Sequence, residues 1–302
     1  MNDMPAGTRC GFAAILGATN AGKSTLVNRI VGAKVSIVTH KVQTTRARVL
    51  GVMIEGDAQI VLVDTPGIFD PKRRLDRAMV QAAWQGADDA DITVLVVDAK
   101  RGASHDVMAI LERLANVKTP RILVLNKIDL VERSLLLELA AKLNEGGLFT
   151  DTFMVSATNG DGIGALVARL SADMPDGPWL YPEDQLTDMP NRLLAAEITR
   201  EKAFLRLHQE LPYSLTVETE AWEERRDGSV KIDQTIYVTR DGHKGIVLGK
   251  GGATMKAIGQ ESRIELEELL GRRVHLFLFV KVREGWLDDP ERFRNIGLDF
   301  GS

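Results

Sequence analysis

Glycine, lysine, hydroxyl and carboxylate residues gather in four short stretches of the first half of this chain, each directly after an apolar run. The first is Gly17-Ala18-Thr19-Asn20-Ala21-Gly22-Lys23-Ser24-Thr25. Two glycines bracketing four residues ahead of Lys-Ser let backbone N–H groups close around phosphate oxygens, while Lys23 adds a mobile cation and the Ser24 hydroxyl offers a ligand for Mg²⁺. The second, Asp64-Thr65-Pro66-Gly67-Ile68, puts a carboxylate where it can hold a metal-bound water, and a glycine whose N–H can face a γ-phosphate. The third, Asn126-Lys127-Ile128-Asp129, supplies a carboxylate that can accept from N1–H and the 2-amino group of guanine. Adenine has an acceptor at N1 and no 2-amino group, so it would leave that charge unpaired at a cost of several kcal/mol. Asn126 can buttress the phosphate loop and the Lys127 stem can lie over the base. In the fourth, Ser156-Ala157-Thr158, a backbone N–H can reach the guanine O6.

The elements that would position these stretches are continuous apolar runs of strand length: Phe12 to Leu16, Ile60 to Val63, Ile92 to Val97, Ile122 to Leu125 and Phe153 to Val155. Strands covered by helices on both faces read this way, and Leu75 to Ala87, Val107 to Leu114 and Leu135 to Leu143 carry helical spacing between them. The pattern predicts an α/β fold with a mostly parallel sheet, helices on both faces and ligands at the carboxyl ends of the strands. Arg48 to Ile54 can pair with the Ile60 run across Glu55-Gly56-Asp57, which gives one antiparallel edge strand.

Four elements in this order resemble the translation-factor-like GTPases, over essentially all of residues 10 to 172. The resemblance implies GTP as substrate, Mg²⁺ as cofactor, and a catalytic set of Lys23, Thr45 and Gly67. Gln43-Thr44-Thr45-Arg46 matches the family's switch I pattern; Thr45 is the expected Mg²⁺ ligand beside Ser24 and, through water, Asp64, with Thr44 as the alternative. Many regulatory GTPases carry a water-orienting glutamine where this chain has Ile68, so slow unassisted hydrolysis is expected. Arg46, Arg48, Arg73 and Arg74 read as solvated surface charges.

Composition shifts at Asp173, where a proline-rich stretch runs through Pro190 and predicts a linker. The expected organisation is a GTPase domain over 8–172, a linker over 173–190, a second domain over 191–284 and a terminal segment over 285–302. Beyond the linker the order is α, β, β, α, α, β: helical spacing over Arg192 to Leu207, alternation over Ser214 to Glu224 and Val230 to Arg240, two short helices, then Val274 to Val282. The helices join at Gly249-Lys250-Gly251-Gly252, the G-x-x-G form that clamps single-stranded RNA by close backbone approach. Between residues 231 and 256 five cations face two carboxylates in an otherwise acidic chain. That is the footprint of a phosphate-tracking groove, with Lys244, Lys250 and Lys256 on phosphates, Ile246 and Val247 under bases, and Gly249, Gly251 and Gly252 admitting the strand.

This half resembles a type II KH domain, and the two together resemble the Era family of GTPases; the ending Gly285-Trp286-Leu287-Asp288-Asp289-Pro290 is similar to that family's closing segment. The resemblance implies a GTP switch that binds 16S rRNA near its 3′ end, associates with the 30S precursor, and touches the inner membrane peripherally, with no DNA partner. Composition agrees in outline. With 38 Lys and Arg against 42 Asp and Glu, bulk charge excludes a polymer-coating protein. Cys10 is the only cysteine, which excludes an intrachain disulfide and a multi-cysteine zinc site. A soluble cytoplasmic protein is expected. Competing classes are a P-loop kinase or ATPase, which Asn126-Lys127-Ile128-Asp129 disfavours, and a signalling GTPase whose KH-like domain binds protein.

Overall fold

A computed structural model describes residues 7–41, 44–71, 73–208, 211–285 and 298. Gln43 and most of the terminal segment, 286–297 and 299–302, lie outside the described residues. The chain divides after Asp188 into two compact units.

The first unit is built on six strands: β1 (Arg9–Leu16), β2 (Val49–Glu55), β3 (Ala58–Asp64), β4 (Ile92–Asp98), β5 (Arg121–Asn126) and β6 (Asp151–Val155). They lie in the order β2-β3-β1-β4-β5-β6, all parallel except β2, which pairs antiparallel with β3 at the edge. Five helices flank the sheet: α1 (Lys23–Val31), α2 (Arg74–Asp88), α3 (His105–Leu114), α4 (Arg133–Leu143) and α5 (Ile163–Asp173). Strand β1 shows why its sequence is continuously apolar. Ala13 and Ile15 enter one core with Leu26 and Ile30 of α1 and Leu166 and Leu170 of α5. Ala14 and Leu16 enter the other, with Trp84 of α2, Ile110 of α3 and Leu136 of α4. Period-two alternation therefore places apolar groups on both faces, and neither face is left for polar residues. The strand order reverses at β1, with β3 on one side and β4 on the other, which opens a crevice above its carboxyl end.

The stretch whose prolines predict a linker lies along this sheet up to Asp188. Cys10 N–H donates to the Pro175 carbonyl (3.0 Å), Gly177 N–H to Thr8 (3.1 Å) and Val52 N–H to Leu186 (2.9 Å). The Gln59 side chain bonds the backbone from both its ends: Nε2 donates to the Tyr181 carbonyl, and Oε1 accepts from Leu180 and Tyr181 N–H. Trp179 and Tyr181 pack against the cluster of Cys10, Leu50, Val61 and Val63. Proline excludes regular helix and sheet from this segment, yet its carbonyls still find donors on the edge of the sheet.

The second unit runs α6 (Asn191–Arg206), β7 (Leu215–Glu224), β8 (Val230–Val238), α7 (Asp241–Leu248), α8 (Ala253–Leu270) and β9 (Val274–Val282). Its sheet has the order β7-β8-β9, antiparallel between β7 and β8 and parallel between β8 and β9. Ile236, Val238, Phe204, Val247 and Ile258 share one core cluster, which sets α6, α7 and α8 on a single face. This is the α, β, β, α, α, β order expected from the sequence.

Candidate functional site

The loop after β1 enters α1 through Gly22, whose φ of 93° is open to glycine alone at little cost. A Cβ there would sit 2.3 Å from the Asn126 side-chain nitrogen, so closeness as well as φ demands glycine. Asn126 joins three loops at once. Its Nδ2 donates to the Ala21 carbonyl (3.0 Å), and its Oδ1 accepts from Lys127 N–H (2.8 Å) and Ala157 N–H (3.1 Å). Asp129 accepts from the Ser156 hydroxyl at 2.6 Å, which fixes the carboxylate at the strand end. The Arg29 guanidinium reaches the Ala157 (2.9 Å) and Thr158 carbonyls from α1 and braces the same loop.

At the phosphate end, the buried Lys23 ammonium donates to the carbonyls of Gly17 and Ala18, both at 3.1 Å. Burial lowers its pKa to about 8, and the neighbouring Asp64 charge opposes that shift. Asp64 is wholly buried and neither of its carboxylate oxygens has a hydrogen-bond partner among the described residues. Burial pushes its pKa up, with the Ser24 hydroxyl and the Lys23 charge pulling it back. The Ser24 and Thr45 hydroxyls stand 3.0 Å apart. Thr44 turns elsewhere, its hydroxyl against Thr39 at 2.7 Å and the Lys41 carbonyl at 2.9 Å. Two hydroxyls beside an unpartnered carboxylate are a hard-oxygen donor set that fits Mg²⁺ with nucleotide phosphates completing its shell. No cluster of three or more His, Cys, Asp or Glu able to hold a metal occurs among the described residues, so the metal would depend on those phosphates. Bound there, Mg²⁺ would neutralise charge on the β- and γ-phosphoryl oxygens.

Thr65 donates to the Ile15 carbonyl at 2.7 Å, tying the Asp64-Thr65-Pro66-Gly67 turn to β1. Ile68 N–H donates to the Gly17 carbonyl at 3.1 Å, and Gly67 lies so near Thr19 that a Cβ would come within 2.9 Å of its Cα. The Ile68 side chain is buried in the core with Ala18 and Trp84, so it orients no water. The pocket enclosed by these parts has a volume of about 580 Å³; Thr19, Asn20, Lys23, Ser24, Thr25 and Thr45 are among its lining.

Two residues in this site escape sequence reasoning. Asp98, at the end of β4, pairs with the Lys127 ammonium at 2.7 Å, while that ammonium also donates to the Asn20 carbonyl at 2.7 Å. Arg101 donates to the Thr19 carbonyl at 3.1 Å and lines the pocket. Neither position belongs to a spaced motif, and only the strand order brings them to the phosphate loop.

In the second unit, α7 ends at Leu248 and α8 begins at Ala253. Between them Gly249, Gly251 and Gly252 take φ of 71°, 60° and 79°. Lys250 and Lys256 are exposed and Lys244 half-buried, and none of the three forms an ion pair among the described residues. Ile246 is 56% exposed and available to a base, whereas Val247 is 0% exposed within the core. The expectation for Val247 is thereby corrected: successive helix positions diverge by about 100°, and that turn carries Val247 into the core with Phe204 and Ile258 while Ile246 faces outward.

A nucleotide-binding α/β unit followed by a unit with a G-x-x-G loop defines a P-loop GTPase joined to a KH domain. Residues 12–127 match the family model described as a 50S ribosome-binding GTPase, and residues 210–287 match that of the KH domain. GTPase Era of Rhizobium meliloti strain 1021 is 63% identical over 293 residues, covering 97% of this chain and 94% of the relative. A solved structure of Era with MgGDPNP and nucleotides 1506-1542 of 16S ribosomal RNA gives a TM-score of 0.90 at 39% identity, covering 96% of this chain and 99% of that one. An Aquifex aeolicus Era variant bound to GDP and AlF4⁻ matches with the same TM-score, identity and coverage. The chain belongs to the Era family of GTPases. It hydrolyses GTP to GDP and phosphate, with Mg²⁺ as cofactor.

Proposed function

We propose that this GTPase binds 16S rRNA near its 3′ end through the Gly249–Gly252 loop, and that it acts on the 30S subunit precursor during assembly. The carrying observation is the loop itself: Lys244, Lys250 and Lys256, in no ion pair among the described residues, around a turn of positive-φ glycines, beside an exposed Ile246. Small residues admit the sugar-phosphate chain, the ammonium groups meet phosphates, and the isoleucine lies under a base. The relative that carries rRNA nucleotides covers both units of this chain, which supports the same reading.

Nucleotide state enters through Thr45 and residues 64–68, which would rearrange around a γ-phosphate and set the availability of the RNA loop. GTP then favours the RNA-competent form, and buried Ile68 keeps unassisted turnover slow. Work in the cytoplasm, with peripheral contact at the inner membrane, completes the proposal. Co-sedimentation with 30S precursor particles, with a non-hydrolysable GTP analogue or with GDP, tests it. The reading requires binding that favours the analogue; a protein that stays out of the particle fraction in both states, or binds equally in both, contradicts it, because a ligand without differential affinity shifts no population. Flotation with anionic vesicles checks the membrane contact.

A further inference from the structure

We propose that Arg101 is a catalytic residue for GTP hydrolysis, its guanidinium meeting the terminal phosphoryl oxygens as the bond to the β-phosphate breaks. Arg101 sits on the loop between β4 and α3 and lines the same pocket as Lys23, Ser24, Thr45 and Gly67. Its backbone is held from below: Arg101 and Gly102 N–H both donate to the Asp98 carbonyl at 3.0 Å, and the Asp98 carboxylate accepts from Lys100 N–H at 3.0 Å.

The side chain is not neutralised. Arg9, Arg48, Arg169, Arg200, Arg206, Arg263 and Arg272 each pair with a carboxylate. Arg101 pairs with none among the described residues; its one hydrogen bond is to a neutral acceptor, the Thr19 carbonyl at 3.1 Å. The nearest carboxylate along its own loop, Asp98, is engaged by Lys127. Most of the five guanidinium donors therefore stay available to an anion.

Thr19 also ties the guanidinium to one end of the pocket. Gly67, whose N–H is placed to meet a γ-phosphate, packs within van der Waals reach of Thr19, and Arg101 is anchored on the carbonyl of that same Thr19. Hydrolysis there joins water to the γ-phosphorus and releases GDP and inorganic phosphate, and charge spreads over the equatorial oxygens on the way. Arg101 exchanges no proton; it stabilises that charge, while Ile68 contributes no polar group to the step.

The test compares Arg101→Gln, Arg101→Ala and Arg101→Lys in the full chain by single-turnover hydrolysis and by affinity for GDP and for GDP with aluminium fluoride. Glutamine removes the charge while keeping the aliphatic stem and a polar end. We expect Gln and Ala to lower the hydrolysis rate by about tenfold or more and to weaken the aluminium fluoride complex in proportion. GDP affinity should hold within about threefold, which also reports that the variants fold, and Lys should restore part of the rate. A full rate in Arg101→Gln, or equal losses of GDP and GDP with aluminium fluoride, would overturn the assignment.

Discussion

A Cβ added to Gly22 would lie 2.3 Å from the Asn126 amide, whereas one added to Gly251 would meet nothing within 4 Å. Both glycines hold positive φ, but the first is also enclosed by protein and the second stands in open space. The nucleotide loop is held by the protein's own contacts: Asn126 and Lys127 bond its backbone, Asp98 pairs with Lys127, and Arg29 braces the neighbouring loop at Ala157. The Gly249–Gly252 loop keeps Lys244, Lys250 and Lys256 out of ion pairs among the described residues and Ile246 exposed, which under the proposed function leaves its contacts to the RNA. A compact ligand of fixed shape suits the enclosed loop; a flexible strand suits the open one.

The largest effect should come from filling the enclosed loop. Gly22→Ala must displace Asn126 as well as strain φ, and we expect GTP affinity to fall by about 100-fold or more, read by fluorescent nucleotide titration. RNA binding measured without nucleotide should survive in that variant. Lys250→Glu comes next: RNA affinity should drop roughly tenfold at physiological salt and its salt dependence should become shallower, while GTP affinity stays within about twofold. Loss of both activities in either variant would erase the distinction between the two loops.

Asp98→Asn probes the bracing more finely. The amide can keep its bonds to the loop N–H groups but loses the charge on Lys127, and nucleotide affinity should weaken by roughly fivefold to tenfold. The smallest effect concerns His243, buried beside the open loop, where Arg240 Nε–H donates to its Nε2 at 2.8 Å. Burial and the Arg240 charge lower its pKa from 6.5. The unfolded chain therefore takes up this proton first as pH falls through 6.5. The His243 contribution to stability is complete above that pH and is lost progressively as pH falls toward the folded value. Urea unfolding at pH 7.5 and 5.5 should show a smaller pH dependence in His243→Gln than in the unaltered chain.

Much of this was legible in the sequence, and the places where it was not are instructive. Buried strands such as Arg121–Asn126 announce themselves because an unbroken apolar run, Ile122 to Leu125, leads to a polar terminus, and the motifs at such termini follow. Residues 173–190 read as linker because prolines forbid regular structure; the anchoring of this stretch at Tyr181 depends on Gln59, more than a hundred positions away, and no local pattern encodes it. Ile246 and Val247 are chemically alike, and only the packing of α7 against α8 and the sheet decides which is buried. Asp98 and Arg101 look like ordinary charges until strand order sets Asp98 against Lys127 and Arg101 against Thr19.

The purine preference tests the braced nucleotide site most directly, because the Asp129 carboxylate, fixed by Ser156, has to supply it. Calorimetric titration of the unaltered chain and of Asp129→Asn with GTP, ATP and xanthosine triphosphate makes that measurement. The account predicts firm GTP binding and negligible ATP binding in the first, and in the second a loss of GTP with a gain of the xanthine nucleotide, whose 2-oxo group accepts from the new amide. ATP bound as tightly as GTP, or an unchanged preference in Asp129→Asn, would contradict it.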